Sequence, residues 1–161
     1  MGLISSKSII TEAVSVLDTG KIKGIVIFTQ KDDYVHIKIN IEGLSKNHSH
    51  GFHIHETGDL REGCKSCCAH YNPNDDEHGG LDNGHAGDLG NIKTDENGKC
   101  NITINTDKFI VDDILGRSII IHKDKDDLGL GTFDDSKTTG HSGERIACSL
   151  IGISKDSVNK Y

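Results

Sequence analysis

Apolar and polar side chains alternate with a period of two through most of this chain. Val35, Ile37, Ile39 and Ile41 alternate with His36, Lys38, Asn40 and Glu42, the pattern of a strand with one buried and one wet face. Segments 13–17, 22–30, 51–55, 89–94, 100–106, 117–122 and 146–153 read as further strands. Asp18-Thr19-Gly20 and Lys31-Asp32-Asp33 supply turns between the first three. Asn97-Gly98, within 95–99, predicts a hairpin, because both residues tolerate positive φ. No segment of useful length carries a helical apolar stripe. Eight short strands without a helix predict an all-β fold, an antiparallel sandwich or barrel. Two stretches break the pattern: 56–88, rich in Gly, Asp, Asn and His, and 123–144, rich in Asp, Gly, Ser and Thr. Loops of that length in a compact domain usually carry function.

Composition narrows the classes. At 161 residues the chain is one domain with room for a core, and its net charge of −7 argues against nucleic-acid binding. No apolar run is long enough for a transmembrane helix. The N-terminus shows no secretory pattern, so a cytoplasmic setting is expected. Met1-Gly2-Leu3-Ile4-Ser5-Ser6 fits a myristoylation motif, and one acyl chain on Gly2 would give weak membrane association. The competing reading is a plain flexible extension over 1–10, before a domain spanning 11–153 and a short polar tail over 154–161.

The loops concentrate chemistry. Six of the ten histidines fall at His53, His55, His70, His78, His85 and His122, with Asp88 close behind His85. Histidine and carboxylate suit copper and zinc. His53 and His55 stand two apart on a strand and share one side of the sheet, a rigid pair for a metal that changes charge. His122 ends another strand. His70, His78, His85 and Asp88 lie in or beside the first loop, which could wrap them around a tetrahedral ion. Such a polar, glycine-rich loop would not order itself without one.

Five segments also resemble the copper/zinc superoxide dismutases: Gly51-Phe52-His53-Ile54-His55-Glu56, His70-Tyr71-Asn72-Pro73, His78-Gly79-Gly80, His85-Ala86-Gly87-Asp88-Leu89-Gly90-Asn91 and 140–152. The resemblance covers about residues 11–153. It implies an eight-stranded Greek-key β-sandwich with two long functional loops. It implies one copper ion held by His53, His55, His70 and His122, and one zinc ion held by His70, His78, His85 and Asp88, with His70 bridging. The implied activity is disproportionation of superoxide to oxygen and hydrogen peroxide by alternating Cu(II)/Cu(I), with superoxide and protons as the reactants. His70 and Arg145 are then the catalytic residues, Arg145 docking the anion and His70 handling a proton. Asp126 would link His53 to His78 and fix their tautomers.

The resemblance also pairs Cys64 with Cys148 in a disulfide, and it implies a homodimer through segments near 13–17, 57–58, 114–116 and 151–153. Thr57 stands where an apolar residue is frequent, and Thr138 where a steering lysine is frequent, with Lys137 one place earlier. Cys100 alternates with Ile102 and Ile104 and reads as a small buried hydrophobe. Cys67 and Cys68 leave two readings open: thiols that merely line the loop, or a Cys64-x-x-Cys67 redox or zinc motif. A metal-binding relative without turnover is the alternative to an active enzyme.

Overall fold

The computed structural model describes residues 10–158. The acylation motif at residues 2–6 lies outside them. Nine strands form among the described residues: β1 Glu12–Asp18, β2 Lys23–Gln30, β3 Val35–Glu42, β4 Ser49–His55, β5 Arg61–Cys64, β6 Asp88–Lys93, β7 Cys100–Thr106, β8 Ser118–His122 and β9 Arg145–Ile153. Eight of them build one antiparallel sheet in the order β6-β4-β8-β9-β1-β2-β3-β7, which curls into a nearly closed barrel. β7 returns to pair with β3, and β8 inserts between β4 and β9. These non-consecutive neighbours give the expected Greek key.

β3 shows why the segments become strands. Val35, Ile37, Ile39 and Ile41 are all buried, and the residues between them are exposed or half-buried. β1 and β2 repeat the scheme with Ala13, Leu17, Val26 and Phe28. Phe52 and Ile54 from β4 and Ile119 and Ile121 from β8 meet them, so one core fills the barrel. Each such Val, Leu, Ile or Phe side chain contributes about 1.5–3 kcal/mol by leaving water. Cys100 is buried in this core, and burial pushes its thiol up to about 11.

Two features depart from the sequence expectations. The turn at 95–99 forms, with Gly98 at φ +74° donating to Asp95 and Asp95 donating to Lys99. It does not close a hairpin, because β6 pairs only with β4 and β7 only with β3. The two flanking strands are the edges of the barrel's open seam. Turn chemistry is local, whereas strand pairing was decided by longer-range burial. Second, the loops hold structure too short to leave a periodic signature: β5, the one-turn helices α1 Val111–Ile114 and α2 Ser136–Thr139, and a 3-10 turn over Lys65–Cys67.

Beyond β9 the chain folds back onto β1. The Ser154 hydroxyl donates to Glu12 Oε1 at 2.6 Å, and the Thr11 amide donates to Ser157 Oγ at 2.9 Å. No helix among the described residues is long and apolar enough to cross a membrane.

Candidate metal centre

β4 places the first two histidines. Phe52 and Ile54 point into the barrel, so His53 and His55 point outward, and both are fully buried there by the loops. A bulge between Gly51 and His53 sets His53 opposite Asp88 at the start of β6. An isolated bridge pairs His55 with His70. A second bulge, at the end of β8, pairs His122 with Arg145 at the start of β9.

The donor atoms of His53, His55, His70 and His122 lie within 4.8 Å of one another. Three of these rings leave one nitrogen buried and unpaired: His53 Nδ1, His55 Nε2 and His122 Nε2. Their other nitrogens are committed. His55 Nδ1 donates to the Cys68 carbonyl at 2.8 Å, His122 Nδ1 to the Gly143 carbonyl at 3.1 Å, and His53 Nε2 to Asp126 Oδ2 at 2.6 Å. Orphaned buried polar atoms are costly and rare. Three converging basic nitrogens fit a cation that prefers imidazole, such as copper.

The second group centres on Asp88. His70 Nδ1 lies 2.9 Å and His85 Nδ1 3.2 Å from Asp88 Oδ1, and His78 Nδ1 lies 3.0 Å from Oδ2 without forming an aligned hydrogen bond. His85 Nδ1 also faces His70 Nδ1 at 3.3 Å. His53, His70, His78 and Asp88 also have donors within 4.8 Å of one another. His53 is nevertheless the poorer fourth member, because Asp126 takes its Nε2 and its Nδ1 serves the first group. Three imidazoles and one carboxylate suit tetrahedral zinc. His70 belongs to both groups.

Asp126 sits fully buried between them, accepting from His53 Nε2 and, at 2.8 Å, from His78 Nε2. Asn91 grips the Asp126 backbone at both its amide and its carbonyl. Gly140, at φ +71°, passes so close that a Cβ would strike Asp126 Oδ1 and His78 Nε2. Asn91 and Gly140 both lie in segments that carry the family resemblance, but the sequence assigned neither a role. His50 is a further residue that spacing did not reveal. It is buried, and its Nδ1 donates to the His122 carbonyl at 2.8 Å.

Titration follows these surroundings. Burial, with His70 and His122 close by, holds His53 well below the usual imidazole range. Burial lowers His55 likewise, and lowers His122 to about 4 against the opposing bond to Gly143. Burial would also lower His78, but its hydrogen bond to Asp126 and the Asp88 carboxylate beside it overcome this and raise His78 to about 9. Burial would raise Asp88, and the close imidazoles of His70, His78 and His85 hold it far below the carboxylate range instead.

A cleft leads to the first group, lined by His70, His122, Asp135, Thr138, Thr139 and Arg145 among others. Arg145 donates from Nη1 to the Cys64 carbonyl at 2.7 Å. Cys64 is bonded to Cys148, with the Cα atoms 5.6 Å apart, which ties the first loop to β9. Cys67 is buried, Cys68 is exposed, and both are free thiols. Cys68 has φ +64°, a conformation that favours glycine, and so turns its carbonyl toward His55. Lys137 pairs with Glu77 at 3.7 Å, between the two loops. His141, stacked on Phe133, pairs with Asp135 at 2.6 Å on the rim of the cleft.

Comparison with known proteins identifies the family. The family model described as copper/zinc superoxide dismutase matches residues 22–151. A Cu-Zn superoxide dismutase of Paramecium bursaria Chlorella virus 1 is 45% identical over 90% of this chain and 80% of that protein. An extracellular Cu-Zn superoxide dismutase of Drosophila melanogaster is 49% identical over 84% of this chain and 78% of its own length. Cu-Zn superoxide dismutase 5 of Dictyostelium discoideum is 44% identical over 89% of this chain and 98% of its own. Among solved structures, the clock protein EA4 superposes with a TM-score of 0.88 at 38% identity, covering 94% of this chain and all of that one. The chain therefore belongs to the copper/zinc superoxide dismutase family.

Proposed function

We propose a residue-level assignment for the dismutation that this family performs. His53, His55, His70 and His122 hold copper. His70, His78, His85 and Asp88 hold zinc, and His70 serves both metals. The reaction follows from family membership: superoxide disproportionates to oxygen and hydrogen peroxide, with copper and zinc as cofactors. The carrying observation is the trio of buried, unpaired ring nitrogens on His53, His55 and His122 beside His70.

Copper, when bound, supplies the one-electron change in both directions, which zinc does not. The chain supplies the rest. His70 Nδ1 is committed to the Asp88 side, which leaves Nε2 as the atom that holds a proton and passes it to the substrate. Asp126 holds the tautomers of His53 and His78 from behind. Arg145, anchored on the Cys64 carbonyl beside the cleft, docks the anion, because a guanidinium stays charged and offers a planar set of donors. The overall charge of −7 is no obstacle, since a cleft focuses the local field. Lys137 steers little, being paired with Glu77.

Copper and zinc content measured beside superoxide consumption tests the assignment. One of each metal per chain is expected. Arg145→Ala should keep its copper while the rate falls by about tenfold or more. An unchanged rate at matched copper removes the docking role. A copper-reconstituted protein that holds metal but shows no turnover favours a metal-binding relative over an enzyme.

The homodimer belongs to the same proposal. Leu150 and Ile153 on β9 and Val16 on β1 are exposed apolar side chains at or beside the proposed contact segments. Light scattering at monomer mass overturns it. A cytoplasmic location is likewise a proposal, set against relatives named extracellular. Recovery from the secreted fraction of the native source overturns it.

A further inference from the structure

Lys108 lies on the turn between β7 and α1, across the open seam from the start of β6. Lys108 is half-buried, and its ammonium is turned onto the backbone of the first long loop. The three Nζ protons are shared among four backbone carbonyls: Gly80 at 3.1 Å, Asn83 at 3.2 Å, His85 at 2.8 Å and Asp88 at 2.6 Å. All four lie on the stretch that carries three of the proposed zinc ligands, and two of them belong to the ligands His85 and Asp88 themselves. That stretch has no strand or helix before β6 to satisfy its carbonyls. Left alone, glycine-rich backbone of this kind has many conformations to lose on ordering. A single cation with three protons turns four carbonyl dipoles toward one point and removes that freedom.

We propose that Lys108 is a positioning residue for the zinc subsite. By gathering the carbonyls of Gly80, Asn83, His85 and Asp88 it presets the backbone from which His85 and Asp88 reach the metal. Zinc retention and ligand geometry then depend on a side chain that touches no metal. The inference rests on the assignment of His85 and Asp88 to zinc. It goes beyond that assignment by making a residue from the other edge of the barrel part of the same subsite. The clamp also spans the seam where β6 and β7 fail to pair, so it joins the loop-bearing side of the barrel to the side that faces water.

The test compares the parent with Lys108→Met and Lys108→Arg, each purified with both metals. Two quantities are read: zinc release to a chelator, and the visible spectrum of Co(II) loaded into the zinc site. Lys108→Met should release zinc about tenfold faster, the scale on which outer partners of metal ligands act. Its Co(II) bands should shift. Lys108→Arg keeps the charge, but its planar fork cannot converge on four oxygens, so it should recover less than half of the lost retention. Release within twofold of the parent with an unchanged Co(II) spectrum would falsify the inference, even if the metal-free protein melts lower, because a seam plug alone would give that result. Should Lys108→Met fail to fold, the Lys108→Arg spectrum decides alone: parent-like bands overturn the proposal, and shifted bands support it. His85→Ala and Asp88→Ala run alongside. If they retain zinc like the parent, the zinc assignment falls and this inference with it. If they lose zinc and the Lys108 variants do not, only the role of Lys108 falls.

Discussion

Strands β3 and β8 carry similar runs of isoleucine yet meet different surroundings. In β3 the isoleucines occupy every second place, and the residues between them face outward. In β8, Ile119, Ile120 and Ile121 follow one another, and every residue of the strand is buried. Ile119 and Ile121 join the barrel core, whereas Ile120 does not. Ile120 faces the second layer, in register with His53 on β4. That layer is made of the two long loops rather than a second sheet. One flank of the barrel therefore has the burial scheme of an ordinary half-wet sheet. The other is dry on both faces, and its outer face is filled with imidazoles and carboxylates. Such groups tolerate burial only when paired with one another or with a cation. The flank facing water should thus be stable by packing alone, and the loop-covered flank by cross-links: metals, the disulfide and the Lys108 clamp.

The strongest way to break the contrast is to remove a cross-link that is also chemistry. His122→Ala should lose copper and more than about a hundredfold in rate, since even outer partners of ligands are worth ten- to a hundredfold. Retained copper with parent-like turnover would remove His122 from the centre. Next comes the disulfide. Cys64 and Cys148 are 84 residues apart, and in the chain-entropy model Cys148→Ser should cost up to about 4–5 kcal/mol. Denaturant unfolding of the metal-free protein measures this, and a cost below about 1 kcal/mol would mean that the loop orders without its tether.

A packing change on the other flank sharpens the contrast from the opposite side. Ile37→Ala, in the fully buried row of β3, should cost about 2–5 kcal/mol while copper and zinc content per folded chain stays unchanged. Loss of metal in that variant would show that the two flanks are not separable.

The smallest effect is in pH. In the metal-free protein His122 titrates near 4, below the ordinary 6.5 of a free histidine. Its contribution is present above 6.5 and is lost as pH falls through 4. His78 titrates near 9, so its contribution is present below 6.5 and is lost as pH rises through 9. The unfolding free energy of the metal-free protein should therefore peak near pH 6.5 and fall on both sides, by up to about 1.4 kcal/mol per pH unit for each group, as denaturant unfolding across pH would measure. Zinc on His78 displaces its proton, so the alkaline limb should vanish in the zinc-loaded protein. A limb that persists there would separate His78 from zinc.

Much of this was legible in the chain. β1, β2, β3, β7 and β9 follow from alternation, because one wet face leaves a period of two in the sequence. The histidines and Asp88 stood out because so many metal donors cluster on one strand and one loop. The seam was not legible. Asn97-Gly98 specifies a turn over a few residues, but partners for β6 and β7 are chosen by what each strand can bury. Lys108 and His50 were not legible either, and Asn91 stood in a recognisable segment without a role. A lysine, an asparagine or a single histidine reads as surface until distant chain brings it carbonyls to satisfy.

The sequence by itself determined the strands, the polar loops and the inventory of metal donors, because these depend on residue type and on periods of a few residues. The tertiary structure alone decided which ring nitrogens are left unpaired, and so where a metal can bind. His53 is oriented by Asp126, 73 positions away, and Asp88 is framed by Lys108, 20 positions away across the seam. Hydrogen-bond partners at such separations become neighbours only once the barrel has closed; no local pattern records them, and the Asp126 link was expected only through the family resemblance.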